Sequence, residues 1–266
     1  MALIPKIYID AVVSIGVRQT NDSIAWIGTG FFVHRRIDDK EVLPFLVSNR
    51  HVFEGKMSVV IRMRETQNNA LVLLDVTLSN CRVHPYADIA AVMLSGTTIT
   101  NRHLKFSSFD IDENAFNSFE LRDNGVDEGS IVYMLGFPMG LVNVNSELPI
   151  CRMGCIARIS EEQISESHDA LLDIQNFPGN SGSPVVNRTE FFGIQGTKTL
   201  SRCVLVGIIH AYLPYRESLV NSQTQEIVEV RSENSGIALM HPVEYIREVT
   251  DMFYPKPTET EKKCND

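Results

Sequence analysis

The feature that most restricts this chain is a rhythm of short Val-, Ile- and Phe-rich runs broken by Gly, Asn and Asp. IYIDAVVSIGV, IAWIGTGFFVH, VLPFLVSN, KMSVVIRMR and ALVLLDVTL fill the first hundred residues. Runs of this length, bounded by turn-forming residues, read as strands, and their number points to a barrel or sandwich. A polar stretch, NRHLKFSSFDIDENAFNSFELRDNG, then loses the alternation, and we read residues 106–128 as a solvated connecting segment. Strand-like runs resume in SIVYMLGFP, PICRMGCIARI, ALLDIQNF, GSPVVN, CVLVGIIHAY and SGIALMHP. The expected organisation is therefore all-β, with one unit over residues 1–105 and another over 129–241. After Pro242, Val243, Ile246, Val249 and Phe253 recur at spacings of three and four, which predicts a helix over 242–253. Residues 254–266 are Pro-rich and charged and read as a polar tail.

With 266 residues, 44% of them apolar, the chain can bury one large core or two small ones. Its net charge of -9 opposes a phosphate backbone, so no nucleic-acid partner is expected. The N-terminus is apolar, but Lys6 and Asp10 interrupt it. It reads as a first strand rather than as a signal peptide or membrane span, and no membrane partner is expected. Cys81, Cys151, Cys155, Cys203 and Cys264 are odd in number and irregularly spaced, which points to reduced thiols and a cytoplasmic setting. Cys151 and Cys155 lack the companions a four-ligand metal site needs, so neither a metal nor another cofactor is expected.

The chemistry concentrates in PGNSGSP, residues 178–184, where Ser181 sits between two glycines in a turn. Glycine lets a backbone bring its N–H groups close to a ligand, and the amides of Gly179 and Ser181 are suited to stabilising a developing oxyanion. A serine hydroxyl needs an imidazole to take its proton, and the imidazole needs a carboxylate to hold its tautomer. His51 ends a strand-like run in FLVSNRHVF, and Asp88 precedes another in HPYADIAAVML. A turn histidine, a capping aspartate and an ordinary Gly/Ser turn are the plain alternatives for each alone. His34, His84, His103, His168 and His241 read as surface or structural residues.

VSNRHVF, HPYADIAAVML and PGNSGSPVV, taken together, resemble the three signature segments of the chymotrypsin-like (trypsin-superfamily) serine proteases. They stand in that family's His, Asp, Ser order, 37 and 93 residues apart. GTGFFV, LGFPMGL and VGIIHAY resemble strands of its bacterial and Deg-type branch. The resemblance implies two six-stranded antiparallel β-barrels with a C-terminal helix and the site in the cleft between them. It implies a serine endopeptidase acting through an acyl-enzyme on Ser181, with His51 as general base and acid, Asp88 orienting it, and Gly179 and Ser181 forming the oxyanion hole. Asn180 stands where secreted relatives carry the Asp of their zymogen switch, so that switch is expected to be absent. A Deg-type peptide-binding domain is not expected after the helix.

By the same resemblance, Ile209, His210, Ala211 and Tyr212 border the substrate pocket, Gln175 lies at its floor and Gly236 on the opposing wall. None of the floor or wall positions carries a charge, so a preference for Lys or Arg is not expected. His210 is displaced by one residue from the specificity histidine of glutamyl endopeptidases, which turns a strand side chain to the other face. A specificity role, a place behind Asp88 and a purely structural role stay open for it. The expected partner is a protein or peptide substrate, with a regulatory protein as a further one. A catalytically silent protein that binds partners through this fold, and a latent protease released by a partner, remain alternative functions.

Overall fold

β-branched and aromatic runs pair as strands when alternate side chains can be buried. The computed structural model describes residues 3–38, 41–143, 146–193 and 197–254. The first half supplies β1 (Val12–Arg18), β2 (Ile24–Arg36), β3 (Val42–Ser48), β4 (Ser58–Arg64), β5 (Leu71–Thr77), β6 (Arg82–Val83), β7 (Ala90–Met93) and β8 (Phe109–Asp110). They form one sheet in the order β5-β4-β1-β2-β3-β7-β6, with β8 parallel to β2. The second half supplies β9 (Ile131–Gly136), β10 (Ile150–Arg158), β11 (Ala170–Asp173), β12 (Pro184–Asn187), β13 (Leu205–Val220) and β14 (Ile227–Pro242). These close into a six-stranded barrel in the order β10-β11-β14-β13-β12-β9. Short helices α1 (Lys6–Asp10), α2 (Arg50–Phe53), α3 (Gly96–Asn101), α4 (Ser118–Asp123) and α5 (Glu161–Ser167) precede the longer α6 (Val243–Asp251).

Three expectations change, and the second half adds one feature. The second half is the six-stranded barrel, but among the described residues the first half is an open sheet. β6 has only two residues, too short a ladder to carry pairing round to β5, and the Asn80 side chain donates to the Met93 carbonyl beside the gap. The N-terminus begins as helix α1 rather than a strand, because Lys6 and Asp10, four apart, pair at 2.7 Å while Tyr8 turns into the core. The connecting segment is not simply solvated. Phe109, Ile111 and Leu121 are fully buried, Asp110 pairs with Arg36, and Asn117 and Glu120 form a capping box on α4. Finally, β13 and β14 continue past the barrel as an exposed two-stranded ribbon from Pro214 to Asn234. Helix α6 lies within the expected 242–253, and the expected tail, apart from Tyr254, lies outside the described residues.

Three apolar clusters hold the molecule together. One fills the barrel, one lies within the first sheet, and the third is shared: Phe31, Phe45 and Phe109 from the first half pack with Tyr133, Leu135, Leu205 and Ile208 from the second. Helix α6 ties the same halves, since Arg247 donates to the Ala115 carbonyl and Arg35 pairs with Asp251. The two halves thus rest on a common core. Cys81, Cys151, Cys155 and Cys203 are unpaired thiols, and Cys264 lies outside the described residues. No helix among the described residues is long and apolar enough to cross a membrane.

Candidate active site

His51 sits in the single turn of α2, immediately after β3 has carried the chain through the interior. Asp88 lies in the turn before β7, the neighbour of β3, so sheet pairing brings the two together. The Asp88 carboxylate is gripped twice, accepting from the His51 backbone N–H at 3.0 Å and facing His51 Nδ1 at 2.5 Å. Its backbone carbonyl accepts from Asn49 Nδ2 at 2.8 Å and from the Arg50 N–H. Burial pushes the Asp88 carboxyl up, but the hydrogen bond and charge of His51 more than reverse this and hold it below its ordinary value. A carboxylate so held fixes the proton on Nδ1 and leaves Nε2 as the basic nitrogen. The Asp88 turn is also pinned by His84, which is buried and accepts the Ala87 N–H on Nδ1 while its Nε2 pairs with Glu248.

The Ser181 turn is hung from β2. The Thr29 N–H donates to the Ser181 carbonyl at 2.9 Å, and the Thr29 hydroxyl donates to the Gly179 carbonyl at 2.7 Å while accepting the Phe137 N–H. Thr29 is fully buried. Gly28 places this turn beside α2, because a Cβ there would meet the Val52 side chain at 3.0 Å and the Ser181 carbonyl at 3.3 Å. Gly179 has φ +95°, and a Cβ on it would lie 2.5 Å from the Phe137 carbonyl, so both conformation and space demand glycine. The Pro178 carbonyl accepts the Met139 N–H at 2.5 Å. Planarity of that peptide turns the Gly179 N–H to the opposite side, away from the Pro138–Gly140 turn. Neither the Gly179 nor the Ser181 amide donates to a described residue, and Ser181 Oγ makes no hydrogen bond to one.

Of the pocket residues, Gln175 and Gly236 do face each other: a Cβ on Gly236 would lie 4.0 Å from Gln175 Nε2. Ala211 is half-buried and Tyr212 is exposed, with the Ala211 carbonyl accepting from Asn176 Nδ2. Ile209 is a correction. Its side chain is fully buried in the barrel, and its N–H and carbonyl are taken by Ser183 and Gly182. For His210, Nε2 lies 2.8 Å from Asp169 Oδ1, which fits the structural role left open for it rather than a specificity role. His241, read as a surface or structural residue, is buried and receives the Asp88 backbone N–H on Nε2 at 2.9 Å. Asn176, Asp169 and His241 carry no signal in the chain that sequence reasoning could have used, while Thr29 lies in GTGFFV, a segment singled out above.

Asp169, His210 and His241 bring three ligand atoms within 4.8 Å of one another. The site does not suit a metal, because its nitrogens are already committed. His241 Nε2 accepts a backbone N–H, so Nδ1 must carry the ring proton, and that proton faces Asp169 Oδ1 at 2.9 Å. Burial pushes the Asp169 carboxyl up, and its bonds to His210 and His241 bring it down to about 2. As a carboxylate it only accepts, so His210 Nε2 donates.

The family of trypsin-like peptidase domains matches residues 28–192, a span holding His51, Asp88 and Ser181. No curated protein sequence matches the chain. Among solved structures, the chain is similar to the apo MamO protease domain from Magnetospirillum magneticum, with a TM-score of 0.50 and 15% identity over 91% of this chain and 96% of that one. At that identity the likeness is one of fold.

Proposed function

The chain belongs to the family of trypsin-like peptidase domains, and on that premise we propose that it is a serine endopeptidase with Ser181 as nucleophile. The observation that carries the proposal is the double grip of Asp88 on His51, across a cleft from a Ser181 turn whose two amides are uncommitted. Ser181 Oγ attacks the peptide carbonyl while His51 Nε2 takes the hydroxyl proton, and the oxyanion is received by the N–H groups of Gly179 and Ser181. As the C–N bond breaks, His51 returns the proton to the leaving amine, and the acyl group stays on Ser181 as an ester. Water then attacks the ester, giving its proton to His51, and the C–O bond to Ser181 breaks with that proton returned to Oγ. The substrate pairs as an added strand along Ala211 and Tyr212, and its leading side chain enters the uncharged space between Gln175 and Gly236.

The test is covalent labelling by a fluorophosphonate. Wild type is expected to be labelled and Ser181→Ala to lose the label while unfolding at an unchanged urea concentration. Labelling at another residue would overturn the assignment. One observation favours a second reading, a latent enzyme completed by a partner protein: Ser181 Oγ has no hydrogen bond to His51 in the free chain, although such bonds also tighten on substrate binding. Labelling that appears only with a partner present supports latency, and folded protein that is never labelled supports a silent binding protein.

A further inference from the structure

Asp88 is held from two sides. Its carboxylate and carbonyl are engaged by α2 and Asn49, all in the first half, while its backbone N–H crosses the cleft floor to His241 at the end of β14. Among the described residues, His241 is the only second-half group hydrogen-bonded to Asp88. The His241 ring is itself fixed. Its Nδ1 proton faces the His168 carbonyl and the Asp169 carboxylate, both at 2.9 Å, and the His210 ring stacks on it at 3.9 Å and 5°. His210 donates to the same Asp169 oxygen. The chain of polarity runs one way: the His168 carbonyl and the Asp169 carboxylate share the Nδ1 proton of His241, Asp169 also takes that of His210, and His241 Nε2 is left to accept from Asp88.

We propose that Asp169 and His241 are positioning residues for the reaction above. Asp169 fixes the His241 tautomer, and His241 fixes the backbone of Asp88 so that its carboxylate faces His51. The inference rests on the serine-endopeptidase reading. A proton added at His241 Nε2 replaces the acceptor with a donor that confronts the Asp88 N–H, and the bond across the cleft floor is lost. The titratable groups facing His241 are His210 from β13, Asp169 and His168 from the turn between α5 and β11, and Tyr245 from α6, whose ring meets it edge-on at 6.0 Å. Asp88, with His51 beyond it, lies on the remaining side.

The experiment compares the full chain with His241→Ala, His241→Gln and Asp169→Asn, each verified as folded by urea unfolding. The rate of fluorophosphonate labelling is followed from about pH 5 to about pH 8, the range over which imidazoles change charge. His241→Ala and Asp169→Asn are expected to slow labelling by about 10- to 10²-fold, the cost of sub-ångström to ångström misplacement of a reacting group. His241→Gln, whose amide oxygen accepts but does not take up a proton, is expected to restore most of the rate lost in His241→Ala. A second readout needs no turnover: the downfield proton signal of His51 Nδ1–H, bonded to Asp88, should be lost in His241→Ala and Asp169→Asn and kept in His241→Gln. Folded variants that keep both the wild-type rate and the signal overturn the proposal, as does a glutamine variant no better than alanine. If wild type is not labelled at all, the endopeptidase reading fails, and the proton signal alone decides the positioning role in the same two directions.

Discussion

Replacing Thr29 by Val removes one oxygen atom and tests whether the oxyanion turn is hung from β2. The side chain keeps its branching and approximate volume, so the change is confined to the lost hydroxyl. What disappears is a hydroxyl that donates to the Gly179 carbonyl at 2.7 Å and accepts the Phe137 N–H at 3.0 Å. Thr29 and Phe137 are almost fully buried, so the Phe137 N–H is left with no partner, while the half-buried Gly179 carbonyl regains some water. An unsatisfied buried group costs about 1–3 kcal/mol, which gives about 2–4 kcal/mol for the pair after discounting Gly179. The same release lets the Pro178–Gly179 peptide rotate and misdirect the Gly179 N–H. Losing one oxyanion donor costs up to about 10²–10³-fold, and because the Met139 bond still restrains the turn we expect a loss of about 10- to 10²-fold. Urea unfolding measures the first effect and the fluorophosphonate labelling rate the second. Thr29→Ser is the control, since it retains the hydroxyl and should retain most of the rate. A Thr29→Val protein that unfolds at the wild-type urea concentration and labels at the wild-type rate refutes the reasoning.

Asp88→Asn should leave the fold intact and slow labelling by about 10⁴-fold, because an amide can hold His51 in the wrong tautomer; an unchanged pH–rate profile would contradict this. Stability should fall as the solution is acidified, by a route with a definite sign. The Asp169 carboxyl is held at about 2 in the folded protein against an ordinary 3.8, so its contribution is present above the ordinary value and is lost as pH drops toward about 2. That contribution is on the order of 2 kcal/mol, and urea titrations of wild type against Asp169→Asn should show the difference closing over this window. His210, pushed down by burial, acts in the same direction below its ordinary value of 6.5, because the unfolded chain then binds the extra proton. Arg62 and Glu147 form a buried pair that also engages Ser14 and the carbonyls of Asn143 and Ser146, clamping the loop after the Pro138–Gly140 turn to the first sheet. Removing one partner, as in Arg62→Met, should cost about 3–5 kcal/mol, and adding Glu147→Leu should recover much of it in a double-mutant cycle.

The strand rhythm, the terminal helix and the segments around His51, Asp88 and Ser181 were legible because each is written in contiguous residues. Alternation makes a strand, spacing of three and four makes a helix, and glycines on both sides of Ser181 permit a turn whose amides stay free. Where local pattern and tertiary context disagreed, context won. Lys6 and Asp10 turned an apolar start into a helix, and a polar connection buried Phe109, Ile111 and Leu121 against the first sheet. Ile209 and His210 were placed beside the pocket by their position in the chain. Which face each side chain takes depends on how β13 docks against the Ser181 turn and on Asp169, which lies 41 residues away from His210. The supports of the site were invisible for the same reason: Thr29 meets Gly179 across 150 residues and Asp88 meets His241 across 153. The sequence alone thus named the candidate groups for the proposed chemistry, since reactivity belongs to residue types in short segments. The tertiary structure decided what holds those groups in place, because a buried hydrogen bond is specified by two distant positions that only the folded chain brings within 3 Å.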